Sequence, residues 1–373
     1  SQSNVQRAGV FHQHWFELYA QDDFKFNPRL TLSYGLRYSF YSPTTKDGND
    51  ITNFNAAAFN LAVAPAITPT GSFVLNSSNQ PLTSSGAVAN YLTNGVVTAC
   101  QSGTPCGFTN PKKTLFSPRL GFAYRLNEQG TMSVHGGYGI GYAQVGMFQT
   151  SGLLSNSPFV STPSFSNTQF SNPAGGAAGP PGLQSLSGRD GTYRPAMQQS
   201  WSLSYEAEVV AHGVLSLAYA GDKVDHIFSN SVDRNFAING TSAHSADCAA
   251  SSNNINPAPA SQWQYDPCLN GANAAVSGAT QLNTNYYRPY PGYTSINTGV
   301  SIGSSNYHGL QSGFVYRLAS LQLNAAYTYS KALGNQNQSA QGNLAYGFDS
   351  NIGFQNPRNP GADYGRPSYD RTH

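Results

Sequence analysis

A strict alternation of apolar and polar residues is the dominant pattern along the chain. Between positions 29 and 41 the six even positions are all apolar or aromatic, while small or polar residues occupy the odd positions between them. At the overall hydrophobic content of 39%, six consecutive matches arise by chance in about 0.4% of windows. Since a β-strand turns successive side chains to opposite faces, this stretch predicts a strand with one apolar and one polar face.

The same pattern recurs seven more times, and the repeats come in pairs. Only a few residues separate the two members of a pair, as in Asn27-Pro28 and Ala319-Ser320, which are typical of tight turns. We therefore predict eight antiparallel strands in four hairpins, at approximately residues 14–26, 29–41, 115–126, 131–143, 199–210, 214–221, 306–318 and 321–331.

Long connectors separate the hairpins. They are rich in glycine, proline, asparagine and serine, and they cover residues 42–113, 144–197, 222–305 and 332–373. Such connectors are rare in compact soluble domains, whereas membrane β-barrels combine short periplasmic turns with long extracellular loops. A strand of about 13 residues, tilted by about 40°, spans about 33 Å of membrane, which is enough to cross the apolar layer.

A soluble β-sandwich with large insertions is the alternative to a barrel. Aromatic residues near the predicted strand ends favour the barrel, because aromatic girdles flank its apolar band. These residues are Tyr41, Tyr142, Trp201, Tyr219 and Tyr329. The predicted fold class is therefore all-β, an antiparallel transmembrane β-barrel section of about eight strands with short periplasmic turns and long extracellular loops.

Composition narrows the function classes. Charged residues make up 10% of the chain, against roughly 25% in typical soluble domains, which argues against an ordinary soluble enzyme. The 19 Lys and Arg against 17 Asp and Glu give a net charge of +2, so no nucleic-acid partner is expected. Because no run of 18 apolar residues occurs, no transmembrane helix is expected either.

The four cysteines form two close pairs in polar connector sequence. We predict disulfides between Cys100 and Cys106 and between Cys248 and Cys268, because loop closure favours near partners and such loops face an oxidising compartment.

Several short motifs, taken in order, resemble the barrel of a TonB-dependent receptor of the Oar-like group. Each motif is short, and their order and spacing cover most of the chain. They include the stretches Tyr19–Lys25, Asn27–Leu32, Gly35–Tyr38, Ser117–Tyr124, Gly136–Ile140, Gln199–Leu203, Arg288–Tyr293, Ser305–Gln311, Tyr327–Ala332 and Asp370–His373.

The resemblance implies a larger protein. Family members carry an N-terminal carboxypeptidase-regulatory-like domain, a plug inside the barrel and a TonB-contacting box, and these residues contain none of the three. We therefore expect a middle section of such a receptor, whose partners are outer-membrane lipid, the missing plug domain and the TonB system. The expected location is the cell outer membrane with the long loops extracellular, and the substrate is unknown.

No catalytic motif or cofactor-binding motif stands out, so neither an enzyme nor a cofactor is expected. His12 and His14 lie two residues apart, but two ligands do not make a metal site, and no metal is expected.

Charged residues in the predicted strands fall on the face opposite the apolar stripe, which would be the lumen of a barrel. These lumen-facing candidates are Arg37, Arg119, Arg125, Glu206 and Glu208. Two interpretations stay open. The charges pair with one another and stiffen the wall, or they contact the plug or a passing solute.

Aromatic residues in the loops are the second set of candidates. Exposed aromatic residues among Asn and Ser resemble recognition surfaces, although packing within the loops is equally consistent with them. The set consists of Trp263, Tyr265, Tyr286, Tyr287, Tyr290 and Tyr293.

Two functions follow from these observations, a TonB-dependent transporter or receptor for uptake or export of an unidentified substrate, and a surface structural or adhesive protein that acts through its loops. The polar strand face is dominated by small residues that would underfill a closed eight-stranded barrel. We therefore expect an open sheet whose first and last strands do not pair.

Overall fold

The computed structural model describes residues 9–68, 70–143, 147–160, 165–166, 172, 177–178, 181–236, 283–335, 354, 359–367 and 370–371. Strands dominate this part of the chain. In order they are β1 (Phe11–His12), β2 (Trp15–Asn27), β3 (Leu30–Tyr41), β4 (Thr45–Lys46), β5 (Thr52–Phe54), β6 (Val96–Thr98), β7 (Leu115–Arg125), β8 (Met132–Ala143), β9 (Phe165–Ser166), β10 (Ala177–Ala178), β11 (Gln184–Arg189), β12 (Ala196–Val210), β13 (Gly213–Asp233), β14 (Tyr293–Leu318) and β15 (Leu321–Gly334).

Short 3-10 helices are the helical elements of the described residues. They lie at Ala56–Ala58, Leu61–Val63, Met147–Ser155, Thr284–Tyr287 and Pro360–Asp363. No helix in this part of the chain has the length and hydropathy needed to cross a membrane.

Eight long strands form one antiparallel meander. β2, β3, β7, β8, β12, β13, β14 and β15 follow each other in chain order, and each pairs with the next. Short turns join the strands at one edge of the sheet, here called the turn end, and long connectors leave from the opposite loop end. The all-β antiparallel fold predicted from the alternation is confirmed.

The meander does not close on itself. Among the described residues, no ladder of backbone hydrogen bonds joins β2 to β15, and no further strand pairs with the outer edge of either one. Near the loop end of β15, Gly334 forms an isolated backbone pair with Gly365. This arrangement agrees with the expectation of an open sheet.

Two strands extend well beyond their predicted ends. The alternation predicted strands at 214–221 and 306–318, but β13 continues to Asp233 and β14 begins at Tyr293, so the loop predicted for 222–305 is wrong at both ends. The register of the pair shifts three times in the extension, and His226 has a φ of 62° at the first shift. Such bulges break the period of two, which is why the pattern missed these arms.

The connectors carry a packed layer at the loop end, here called the loop body. It contains the antiparallel pair β5 and β6, the strand β11 and the 3-10 helix Met147–Ser155. β11 pairs in parallel with the first part of β14, on the same edge that β15 occupies further along. One hydrophobic cluster of the loop body consists of Ile51, Ala99, Phe108, Leu153 and Leu154.

A disulfide closes a short loop beside this cluster. Cys100 and Cys106 are bonded, with their Cα atoms 4.3 Å apart, as predicted from the sequence. The second predicted pair, Cys248 and Cys268, lies outside the described residues.

Removing this disulfide is expected to loosen the loop body locally. In the chain-entropy account, closing so short a loop stabilises the folded state by about 2 kcal/mol. In a Cys100→Ser/Cys106→Ser variant, tryptic cleavage after the nearby Lys112 and Lys113 should accelerate. A variant cleaved at the wild-type rate would contradict this expectation.

Candidate functional site

The sheet has one polar face and one apolar face, and both are continuous over all eight strands. A row of directly opposed residues on the polar face consists of Asp23, Ser33, Gly121, Gly137, Ser202, Ala220, Gly309 and Ser330. The adjacent row on the other face consists of Phe24, Leu32, Phe122, Gly136, Leu203, Tyr219, Leu310 and Tyr329. The strand register therefore aligns the separate sequence patterns into two extended surfaces.

The apolar face is open to the surroundings. Large side chains on it are exposed, among them Leu18, Leu36, Leu120, Leu203 and Tyr327. A single-domain soluble protein rarely exposes an apolar surface of this extent. Its accessibility is what a lipid-facing surface requires.

The apolar band slants across the sheet. The row that contains Tyr34 on β3 and Lys331 on β15 serves as the reference. On β3 the apolar band extends three outward-facing positions beyond this row toward the loop end, to Phe40. On β15 the continuous stretch of the band ends one position short of this row, at Tyr329, because Lys331 separates it from Leu333. Over the six steps from β3 to β15 the band shifts by about one residue per strand, as expected for strands tilted in a barrel wall.

All five lumen-facing candidates share the polar face, and one of them is paired. Nη1 of Arg37 lies 3.7 Å from Oε2 of Glu17, and its guanidinium lies 6.0 Å from the ring centre of Tyr19. The Glu17 carboxylate also accepts hydrogen bonds from Ser39 Oγ at 2.9 Å and Tyr41 Oη at 3.1 Å. Here the charges pair within the wall.

The other candidates are not brought together. Arg119 lies across from Gly35 on β3 and Gly139 on β8, next to Arg37. Arg125 donates to the carbonyl oxygen of Pro28. Glu208 Oε1 accepts from the backbone N–H of His212 at 3.1 Å. For Arg119 and Glu206, no ion pair is found within the described residues.

Cysteine substitutions at two neighbouring positions of β3 are expected to distinguish the polar face from the apolar face. Arg37→Cys should react with a water-soluble, membrane-impermeant maleimide in detergent-free membranes opened to both sides. Leu36→Cys should react at least tenfold more slowly, because its thiol would lie in hydrocarbon, where little thiolate forms. Equal reactivity of both variants would contradict the assignment.

The loop body covers the loop end of the polar face. Ser39, Ser117, Ala196 and Val224 all lie on this face, and all four are buried. Phe116, on the opposite face at the same level, is exposed. The connectors therefore fold over the loop end of the polar face rather than along the apolar face.

Asparagine side chains join the parts of the loop body. Asn156 donates to the carbonyl oxygens of Thr52 and Ser187, at 2.8 and 2.7 Å. Asn53 exchanges two hydrogen bonds of 2.8 Å with the backbone of Arg189. Since buried polar groups are stable only when hydrogen-bonded, these contacts fix the relative positions of β5, β11 and the helix.

A cleft of about 680 Å³ lies within the loop body. Its walls come from β5, the disulfide loop, the end of β11 and the ends of the β13 and β14 arms, and include Phe54, Thr104, Arg189, Asp190, Arg234 and Tyr290. This volume falls in the range of small-molecule sites.

Positive charge is in excess around the cleft. Arg234 Nη2 lies 2.7 Å from Asp190 Oδ2, and Arg288 Nη1 lies 3.0 Å from Asp233 Oδ2. Arg189 is only 6% exposed, donates to Thr150 Oγ1 at 2.9 Å, and has no carboxylate partner in the described part of the chain. Burial lowers the pKa of its guanidinium.

Asp190 is held in its charged form. Burial acts to raise its pKa, but hydrogen bonds from Thr192 and the charge of Arg234 outweigh this effect, so the pKa lies below its usual value. Three arginines and two aspartates thus leave one positive charge in and beside the cleft.

The structure corrects one loop candidate. Tyr293 is 1% exposed and donates its hydroxyl to the carbonyl oxygen of Asn94 at 2.7 Å, so the prediction that it is an exposed recognition residue is wrong. It packs with Leu186 and Ile296, and its burial raises the pKa of the phenol. The surrounding sequence is polar, but the large aromatic ring is more stable when it packs against apolar neighbours than when it is exposed to solvent.

The remaining loop candidates have different positions. Tyr290 packs edge-on against Phe54 at 4.8 Å and borders the cleft, while Tyr286 is half-buried. Tyr287 belongs to the 3-10 helix Thr284–Tyr287. Trp263 and Tyr265 lie outside the described residues.

The histidine pair near the loop end is separated. His12 Nε2 lies 2.8 Å from Asp47 Oδ1, whereas the backbone N–H of His14 donates to Ser42 Oγ. In the described residues no three metal-ligating side chains come together.

Comparisons with known proteins place the whole chain in one family. A family model described as "Outer membrane beta barrel domain" matches residues 1–373. No curated protein matches the chain.

Solved structures that resemble the chain include three receptors. The ferric-catecholate import receptor Fiu of Escherichia coli K12 is 11% identical with a TM-score of 0.34, over 91% of this chain and 30% of that one. The siderophore receptor PirA of Pseudomonas aeruginosa is 11% identical with a TM-score of 0.36, over 86% and 36%. The hemophore receptor HasR of Serratia marcescens is 13% identical with a TM-score of 0.38, over 87% and 35%. The chain thus spans about a third of their length.

Proposed function

Because the chain belongs to the outer membrane β-barrel domain family, we propose that it is the barrel section of a TonB-dependent receptor that moves a solute across the outer membrane. The outer membrane is the location that this family membership gives. The sequence motifs described above, which resemble TonB-dependent receptors of the Oar-like group, support the receptor assignment within the family.

The observation that carries the proposal is an open sheet whose polar face is covered by the loop body at its loop end. Among the described residues, no further strand pairs with the outer edge of β2 or β15, and small residues such as Gly121, Gly137 and Ser202 line the polar face. A wall of this kind suits a wide lumen that is completed by further strands and filled by a plug. Arg119 stands on this face without an ion pair among the described residues, which suits contact with a plug or a passing solute.

The loop body is the proposed solute-binding part. We place the loops on the extracellular side and the turn end in the periplasm, following the usual construction of such barrels. The cleft next to Arg189 and Arg234 then lies on the extracellular side, and its excess positive charge favours an anionic solute. Uptake is the direction that this arrangement supports.

The test compares the solutes that cells remove from a defined medium. Cells lacking the gene and cells lacking TonB should leave the same solute behind, and wild-type cells should deplete it. An Arg234→Gln variant of the full-length protein should slow depletion, whereas Lys113→Gln, which removes an exposed charge away from the cleft, should not. Depletion that is independent of both the gene and TonB would refute the proposal.

Adhesion through the loops is the second candidate function. The observation that favours it is the packing of the loop body, which has its own hydrophobic cluster, disulfide and asparagine contacts. Adhesion would be distinguished from transport if deletion of the gene abolished surface attachment while loss of TonB left attachment unchanged.

A further inference from the structure

One row on the apolar face of the sheet combines an indole, an imidazole and an ammonium group. Trp201 on β12 lies opposite Gly221 on β13, which lies opposite His308 on β14. His308 in turn lies opposite Lys331 on the outer strand β15. Directly opposed side chains on neighbouring strands are close enough to act on one ligand.

This row marks the limit of the apolar band toward the loop end on β12, β13 and β14. On β15, Lys331 interrupts the band between Tyr329 and Leu333. One step toward the turn end, the outward residues are Leu203, Tyr219, Leu310 and Tyr329. One step toward the loop end, the outward residues on β12, β13 and β14 are Gln199, Lys223 and Asn306. The row therefore lies where hydrocarbon gives way to lipid headgroups.

Aromatic contacts fix the orientation of His308. Its Nδ1 lies 2.7 Å from the hydroxyl of Tyr219, and the two ring planes are nearly parallel, 18° apart, with their centroids 6.2 Å from each other. The indole of Trp201 lies 5.9 Å from the imidazole on another side. It reaches there across Gly221, where a Cβ atom would overlap the indole.

These contacts leave two groups available for a ligand. The bond to Tyr219 occupies Nδ1 of His308, and Nε2 has no protein partner among the described residues. Lys331 is exposed and has no ion pair in that same part of the chain. The nearby carboxylates are engaged elsewhere, because Asp225 pairs with Lys223 at 3.0 Å and Asp370 accepts from the backbone N–H of Ala332 at 2.9 Å.

We propose that Trp201, Tyr219, His308 and Lys331 form a binding site for the phosphate group of an anionic membrane lipid. The phosphate oxygens accept hydrogen bonds from Lys331 Nζ and His308 Nε2. The acyl chains lie on the apolar band below, along Leu310 and Tyr329. A lipid fits better than free phosphate because the donors stand directly above exposed hydrocarbon-facing side chains, so one ligand with a charged head and apolar tails covers both.

Native mass spectrometry of the full-length protein tests this site. The protein is reconstituted in nanodiscs of phosphatidylcholine with a minor fraction of phosphatidic acid, and the phosphatidic acid retained on release is counted. A His308→Ala/Lys331→Gln variant should retain about tenfold less than wild type, since it removes the cationic contact of Lys331 and the hydrogen-bond donor of His308. Lys113→Gln removes the same charge in the connector before β7 and should retain the wild-type amount.

Further variants keep the result decisive. Lys331→Arg should preserve retention, and Gly221→Leu, which displaces the indole without changing charge, should reduce it several-fold. Equal retention by the double variant and Lys113→Gln would overturn the proposal. Displacement of the lipid by inorganic phosphate at equal concentration would also overturn it, because the site would then recognise phosphate alone.

Discussion

Replacing Leu203 by arginine is expected to lower the free energy of unfolding in lipid vesicles by about 2–4 kcal/mol. Leu203 is 52% exposed on the apolar face and is the second of the five outward apolar positions on β12. A guanidinium there must lose its water or pull water into the hydrocarbon, and no acidic residue lies across from it, since its partners are Gly136 and Tyr219.

The matched control is the preceding residue. Ser202 lies on the polar face between Gly137 and Ala220, where a long side chain finds space and water. Ser202→Arg should change the free energy of unfolding by less than about 1 kcal/mol. Denaturant unfolding of the full-length protein in vesicles, followed by tryptophan fluorescence, measures both values. If Ser202→Arg were the more damaging variant, the two faces would have to be exchanged.

The membrane-spanning strands could be predicted from the sequence because one physical constraint acts on every second residue. Each outward side chain between Leu30 and Phe40 must be compatible with hydrocarbon, so the alternation is written directly into the sequence. The same period predicts that Arg37 lies on the polar face. It does not predict that Arg37 pairs with Glu17, because that contact depends on the register set by the Asn27–Leu30 turn.

The arms beyond the membrane could not be predicted in this way. On β13, Val224 and Ile227 are both buried on the polar side by the loop body, although a single unbroken period would put them on opposite faces. The bulge at His226 restores the alignment, and its position depends on contacts made with distant connectors.

The contacts inside the loop body could not be predicted from the sequence either. Buried asparagines such as Asn156 bind backbone groups from segments far apart in the chain, and their surroundings read as ordinary polar loop. The abundance of asparagine was visible, but it does not reveal which residues are buried. The prediction for Tyr293 is wrong for the same reason. The polar composition of its neighbours indicates an exposed loop and does not show that the ring is buried.

Tyr293→Ala is expected to produce the largest local change in the loop body. The ring fills the contact between β11 and β14, and truncating a fully buried aromatic side chain costs about 3–5 kcal/mol. Tyr293→Phe keeps the ring and removes only the hydrogen bond to Asn94, so it should cost about 1 kcal/mol. Val88→Ala, at an exposed position of the same layer, should cost less than about 0.5 kcal/mol.

Hydrogen exchange of the full-length protein in detergent distinguishes these effects. Amides of β5, β6 and β11 should lose protection in the order Val88→Ala, Tyr293→Phe, Tyr293→Ala, while amides in the membrane-spanning part of β12 stay unchanged. The separation is expected because the loop body has its own apolar clusters and opens independently of the wall. If Tyr293→Ala left the protection of β11 at the wild-type level, Tyr293 would not be the central packing residue of this layer.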